Sequence, residues 1–256
     1  MTQSKSIRFM AVKLLKIVCI VSTLLMLCLP WHSSRSADSA IVEMCPYSLS
    51  ITEADIAHGR EQVEKFLKDR PRAAPLLRRR QAVYNWIVRQ FAGEYVGSRI
   101  FWRDSNFLSS DENFLSSYTL GAPGQPPTVT VLKTTNDGRL LDGELICARV
   151  IFELFNVRNG KAFNQAKLAA KTRKLTKSDF VLEIARLEYE AEQHTVHFYD
   201  SYWARPKPEP KASTFRQSYW YKPLPPNFEV WISQFSNKAA YPWSTYGIKY
   251  DLLMNR

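Results

Sequence analysis

Residues 140–157 (LLDGELICARVIFELFNV) constrain the fold more than any other stretch. On a helical wheel at about 100° per residue, Leu140, Cys147, Ala148, Ile151, Leu154 and Phe155 cover most of the circumference. Asp142, Arg149, Glu153 and Asn156 fall within about 60° of one another. A helix apolar on most sides belongs at the centre of a domain. Its polar stripe must then face a strip of solvent or partners from neighbouring elements, because an unpaired buried charge is strongly unfavourable. Arg149 and Glu153 are four residues apart and can pair on the helix surface, although base before acid is the weaker order. Such a pair, if buried, serves to specify how neighbouring helices dock.

The first 36 residues read as a targeting segment. They contain Lys5, Arg8, Lys13, Lys16 and Arg35 and no acidic residue, and residues 17–29 are an apolar run ended by Pro30. That is the layout of a secretory signal, and Ser34 and Ser36 give the small-x-small spacing for cleavage. An uncleaved anchor, with membrane association through residues 9–29, is the alternative, since Phe9 and its neighbours lengthen the apolar stretch. Removing this segment reduces the charge imbalance: of 35 basic and 24 acidic residues, 30 and 24 remain. A mildly basic domain attracts polyanions such as lipid head groups weakly. It lacks the long basic stripe of a specific nucleic-acid binder. The cluster Arg70, Arg72, Arg78, Arg79 and Arg80 reads as a solvated face. Cys45 and Cys147 remain after cleavage, and an oxidising compartment permits a disulfide between them. Cys147, amid apolar neighbours, also reads as a small core residue.

The pattern predicts a mainly α fold with minor β. Residues 37–204 form a multi-helix globular domain with a central buried helix, residues 205–213 (RPKPEPKAS) a Pro-rich linker, and residues 214–256 an aromatic-rich extension. One helix spans residues 53–69 with Thr52 as cap, and another residues 74–93. Residues 94–138, rich in proline and serine, hold one or two short strands, with an alternating run at 128–134. The central helix ends near Asn159 and Gly160, and a short helix follows at 162–174. Thr176 and Asp179 then open a long helix over 177–202. The tail carries Phe228, Trp231, Phe235, Tyr241, Trp243, Tyr246 and Tyr250. These aromatics either cover the helical core or form a recognition surface, and packing is favoured because exposed they invite aggregation.

On the long helix, Glu183, Glu190, His194 and His197 share one edge. Glu190, His194 and His197, at i, i+4 and i+7, are ligand types for a divalent transition metal such as zinc, iron or manganese. Glu153 on the central helix could complete the site. A metal there would generate a hydroxide nucleophile, with Glu153 and Glu183 as candidate catalytic carboxylates. Neither a His-Glu-x-x-His pair nor a Glu-x-x-His occurs in the chain. The competing reading is a hydrated polar edge. Cys147 as a nucleophile is a third, weaker option, because it points to the apolar side of its helix.

The run Phe152-Glu153-Leu154-Phe155-Asn156, with Asn159 and the later Leu187-Glu188-Tyr189-Glu190, resembles a helical pattern of bacterial exported and polymorphic-toxin-type domains with metallopeptidase-like activity. The likeness covers residues 145–200 and singles out Glu153, Asn156, Glu188 and Glu190. The expectation is an exported or membrane-anchored bacterial envelope protein, secreted or periplasmic, that binds a protein or envelope component without catalysis. A metal-dependent hydrolase is the alternative.

Overall fold

Local capping signals set the helix starts. The Thr52 hydroxyl accepts from the Asp55 amide, and the Asp55 carboxylate accepts from the Thr52 amide at 2.9 Å, opening α1 (Glu53–Asp69). The computed structural model describes residues 49–105, 116–120, 125–135, 137–203 and 224–255. The targeting segment, Cys45 and the Pro-rich linker lie outside them. The helix expected over residues 74–93 is two helices, α2 (Ala74–Arg78) and α3 (Gln81–Phe91). Arg80 leaves the helical region (φ −124°, ψ 75°), and its guanidinium lies 4.2 Å from the centre of the Trp203 ring. The break lets Leu77 and Val83 both enter the core. Gly59 of α1 lies against the α3 backbone, where a Cβ would collide with the Val88 carbonyl oxygen.

Three short strands, β1 (Phe101–Trp102), β2 (Ser116–Thr119) and β3 (Thr128–Val131), form a sheet of order β1-β3-β2. β1 runs parallel to β3, and β2 antiparallel with Ser116 opposite Val131. The basic cluster is not a solvated face throughout. Arg70 is 1% exposed; its Nε donates to the Val131 carbonyl at 2.6 Å, and its Nη1 to Asp104 at 2.8 Å. Burial succeeds here because the end of α1 meets the end of β3, whose carbonyl needs a donor.

The central helix is α4 (Gly143–Arg158), with Asp142 as its cap accepting from the Leu145 amide at 2.7 Å. Asn159 and Gly160 turn the chain directly into α5 (Gly160–Lys171). The Asn159 side-chain amide donates to the Leu187 carbonyl at 3.0 Å, which fixes that turn against α6 (Lys177–Phe198). α6 continues into a π-helical turn, Tyr199–Trp203. α7 (Phe228–Ser233) and α8 (Trp243–Met254) follow.

The described part of the aromatic tail is core cover. Trp231 is fully buried against α6, and its Nε1 donates to Glu192 at 2.9 Å. Tyr246 and Tyr250 pack on Phe180 and Ile184. The fold is mainly α with minor β, and α4 carries its central core residues Cys147, Val150, Ile151 and Leu154. Cys147 is a free, fully buried thiol, which burial pushes far up, so it lacks the open electropositive setting of a nucleophile. No helix among the described residues is long and apolar enough to cross a membrane.

Candidate functional site: a buried carboxyl network beneath an aromatic cleft

The stripe on α4 is covered by β2 and α6. Glu153 is 3% exposed; Ser116 of β2 donates to its Oε1 at 2.5 Å, and Asn156 approaches its Oε2 at 3.5 Å. Burial pushes the Glu153 carboxyl up to about 7, with Glu188 adding to the rise, while Ser116, Arg149 and Asn156 oppose it. Arg149, drawn down by burial, sits in the field of Glu153, Glu192, Tyr241 and Glu188. Arg149 and Glu153 thus act on each other electrostatically, within a wider network spanning two helices and the tail. Tyr241 donates to Glu188 at 2.7 Å, and the Tyr246 hydroxyl also hydrogen-bonds to Glu188. Burial, with the Glu188 and Glu153 charges, holds the Tyr118 phenol well above its usual range.

Above this network opens a cleft of about 720 Å³ between the sheet, α5, α6 and α8. Phe180, Ile184 and Glu188, at four-residue spacing, bring one edge of α6 to it. Phe163 of α5, Tyr118 of β2, and Tyr246 and Leu253 of α8 supply most of the remaining apolar wall. Lys167, Lys249 and Arg103 are its cationic lining. Lys167 is half-buried, and burial together with Lys249 and Lys171 pushes its ammonium down. Neither Lys167 nor Lys249 has a carboxylate partner among the described residues. Such a cleft suits an apolar body and a negatively charged group together.

Glu153 and Glu188 come into electrostatic contact, and Asn156 joins them. The other predicted residues lie elsewhere. Glu183, His194 and His197 are exposed on the opposite edge of α6, and Glu190 is half-buried there. Burial raises the Glu190 carboxyl, opposed by Arg186 and aided by Glu183. His194 stacks on Phe155 at 5.3 Å, and burial, Arg158 and His197 push its imidazole down. No three His, Cys, Asp or Glu side chains among the described residues gather closely enough to hold a metal ion. Glu190, His194 and His197 therefore do not form the expected ligand set, and Glu153 does not reach them. The α6 carboxylates that meet α4 are Glu188 and Glu192, almost opposite Glu190 on the wheel.

Sequence reasoning missed Tyr118, Phe163, Lys167, Phe180, Tyr246 and Lys249 as a group. Phe163 and Lys167, one turn apart on the Ala- and Lys-rich helix, and Tyr246 with Lys249 in the aromatic tail, are the local signals that point to them. Comparisons with protein-family models, with curated proteins and with solved structures return no match.

Proposed function

We propose that this chain is an exported or membrane-anchored bacterial envelope protein whose domain is a non-catalytic binding module for an amphiphile with an acidic group. The apolar body would lie along Phe163, Phe180, Ile184 and Leu253, with the acidic group at Lys167 and Lys249. One observation carries the reading: a cleft with an apolar wall and three cations, Lys167, Lys249 and Arg103, in which the lone lining carboxylate, Glu188, is engaged by Tyr241 and none of the described carboxylates pairs with Lys167 or Lys249. A bound anion would relieve the repulsion between them and form charge-assisted hydrogen bonds. The layout of residues 1–36 supports placement in the envelope.

Calorimetric titration with monomeric decanoate and with decanol, both below their aggregation limits, tests this reading. Decanoate binds saturably and more tightly than decanol, and Lys167→Ala with Lys249→Ala weakens decanoate by at least about 10-fold while leaving decanol unchanged. Equal affinity for the two probes removes the acidic group from the account, and no saturable binding removes the cleft.

The hydrolase alternative draws on the Glu153 carboxyl, whose value of about 7 suits general acid–base work at neutral pH. Glu153 does not line the cleft, and the expected ligands do not converge. Stoichiometric transition metal in the purified chain, lost in Glu190→Ala and His194→Ala, would reinstate that reading.

A further inference from the structure

Six large apolar side chains are strongly exposed among the described residues, and three of them, Leu168, Ile248 and Leu252, belong to α5 and α8. Scattered exposed leucines are ordinary. These are not scattered, because α5 and α8 pack on each other and flank the same cleft. On the α8 wheel Ile248, Leu252 and Lys249 follow one another within about 100°, with Ile248 about 160° and Lys249 about 60° from the buried Tyr246. On α5 the order is Lys167, Lys171 and Leu168, also within about 100°, with Lys167 beside the buried Phe163 and Leu168 farthest from it.

The charge of this edge has one sign. α5 (GKAFNQAKLAAK) contains no acidic residue, and the one carboxylate of α8, Asp251, is paired with Lys177 at 2.6 Å. Lys167 lies within electrostatic reach of both Lys171 and Lys249. Apolar tips interleaved with lysines are the composition of an interfacial surface. The tips enter the acyl boundary while the long lysine stems carry their ammonium groups back to the phosphates. A soluble protein partner of matching character would need an acidic, apolar face; an anionic bilayer presents that chemistry by default.

We propose that the α5–α8 edge, through Leu168, Ile248 and Leu252 and the cations Lys167, Lys171 and Lys249, docks on an anionic lipid bilayer and presents the cleft mouth to it. Leu252, Lys249 and Lys167 belong to both the edge and the cleft lining. The inference rests on the binding reading above for what enters the cleft, and adds the surface from which it is drawn.

Hydrogen exchange of the full chain with phosphatidylglycerol/phosphatidylcholine vesicles and with pure phosphatidylcholine vesicles tests it, because the readout is local and separates this edge from residues 9–29. Slowed exchange across residues 160–171 and 243–254 is expected with phosphatidylglycerol only. The Leu168→Glu/Ile248→Glu variant, whose positions do not line the cleft, loses that protection while keeping its melting temperature and its decanoate affinity. Lys171→Ala weakens vesicle partitioning by about 5-fold. Absent protection, or equal protection with both lipids, overturns the proposal. So does a dimer in sedimentation that the double variant dissociates, which would assign the edge to a second copy of this chain. If the native chain binds decanoate but shows no such protection, docking alone has failed; protection without decanoate binding leaves docking and removes the cleft ligand.

Discussion

Ser116 Oγ donates to Glu153 Oε1 at 2.5 Å, tying the edge strand β2 to the middle of α4. The carboxyl is 3% exposed, and burial sets its proton affinity more than Ser116, Arg149 or Asn156 does. A buried carboxyl held at about 7 keeps its proton in the folded state where the unfolded chain has lost it.

Stability therefore has a defined pH dependence. The folded carboxyl titrates at about 7 against an unfolded value of 4.5, so the folded state binds the extra proton between those values. Its contribution is fully present below pH 4.5 and is lost as pH rises through 7, amounting to about 3 kcal/mol. Thermal melts from pH 5 to pH 8 should fall for the native chain and stay nearly level for Glu153→Gln, which cannot ionise. A native chain that gains stability over this interval contradicts the buried, protonated carboxyl.

Gly59 brings α1 against the carbonyl of Val88 on α3. Gly59→Ala should cost about 2 kcal/mol or more, despite alanine's better helix propensity, because the added methyl forces the two backbones apart. Denaturant midpoints measure this. A stabilised variant would mean the helices have room.

Arg70 satisfies the Val131 carbonyl from a fully buried position. Arg70→Met keeps most of the volume but leaves that acceptor without its donor, and should destabilise by about 1–3 kcal/mol. Lys133 and Asp104, 3.6 Å apart at the rim of the same corner, should matter far less, since exposed pairs contribute about 0–1 kcal/mol. Chemical unfolding of Arg70→Met and Lys133→Ala side by side distinguishes the two.

What was legible in the chain was local. Thr52 and Thr176 announce helix starts because capping involves residues three apart, and the all-round apolar wheel of residues 140–157 announces a central helix without reference to anything else. The two-helix break at Arg80 was hidden, since no proline or glycine marks it and its cause is the distant Trp203 ring. The parallel pairing of β1 with β3 was hidden for the same reason: its partners lie 27 residues apart. On α6 the seam with Glu190 and His194 is the one whose residue types suggest chemistry, whereas Glu188 and Glu192 fall among Val181, Ile184 and Ala185 on the wheel and read as part of an apolar side. Which side meets α4 depends on how the Trp231 and Tyr241 segment folds back, and only three dimensions show Glu188 and Glu192 facing inward. The cleft collects side chains from β2, α5, α6 and α8, so no single window of sequence contains it.

Trp231 makes the tail part of the core. Trp231→Ala should lower stability by about 3–5 kcal/mol, both through the cavity and through the hydrogen bond lost from Glu192. A variant that melts like the native chain would return residues 224–255 to the status of a separate extension.

The most direct test of the central claim is photolabelling of the full chain with a diazirine-bearing decanoic acid, followed by peptide mapping. Crosslinks should fall on the cleft segments 116–120, 163–167, 180–188 and 246–253, and excess decanoate should compete them away. Saturable, competed labelling concentrated elsewhere, or no competed labelling at all, would contradict the assignment of this cleft to an acidic amphiphile.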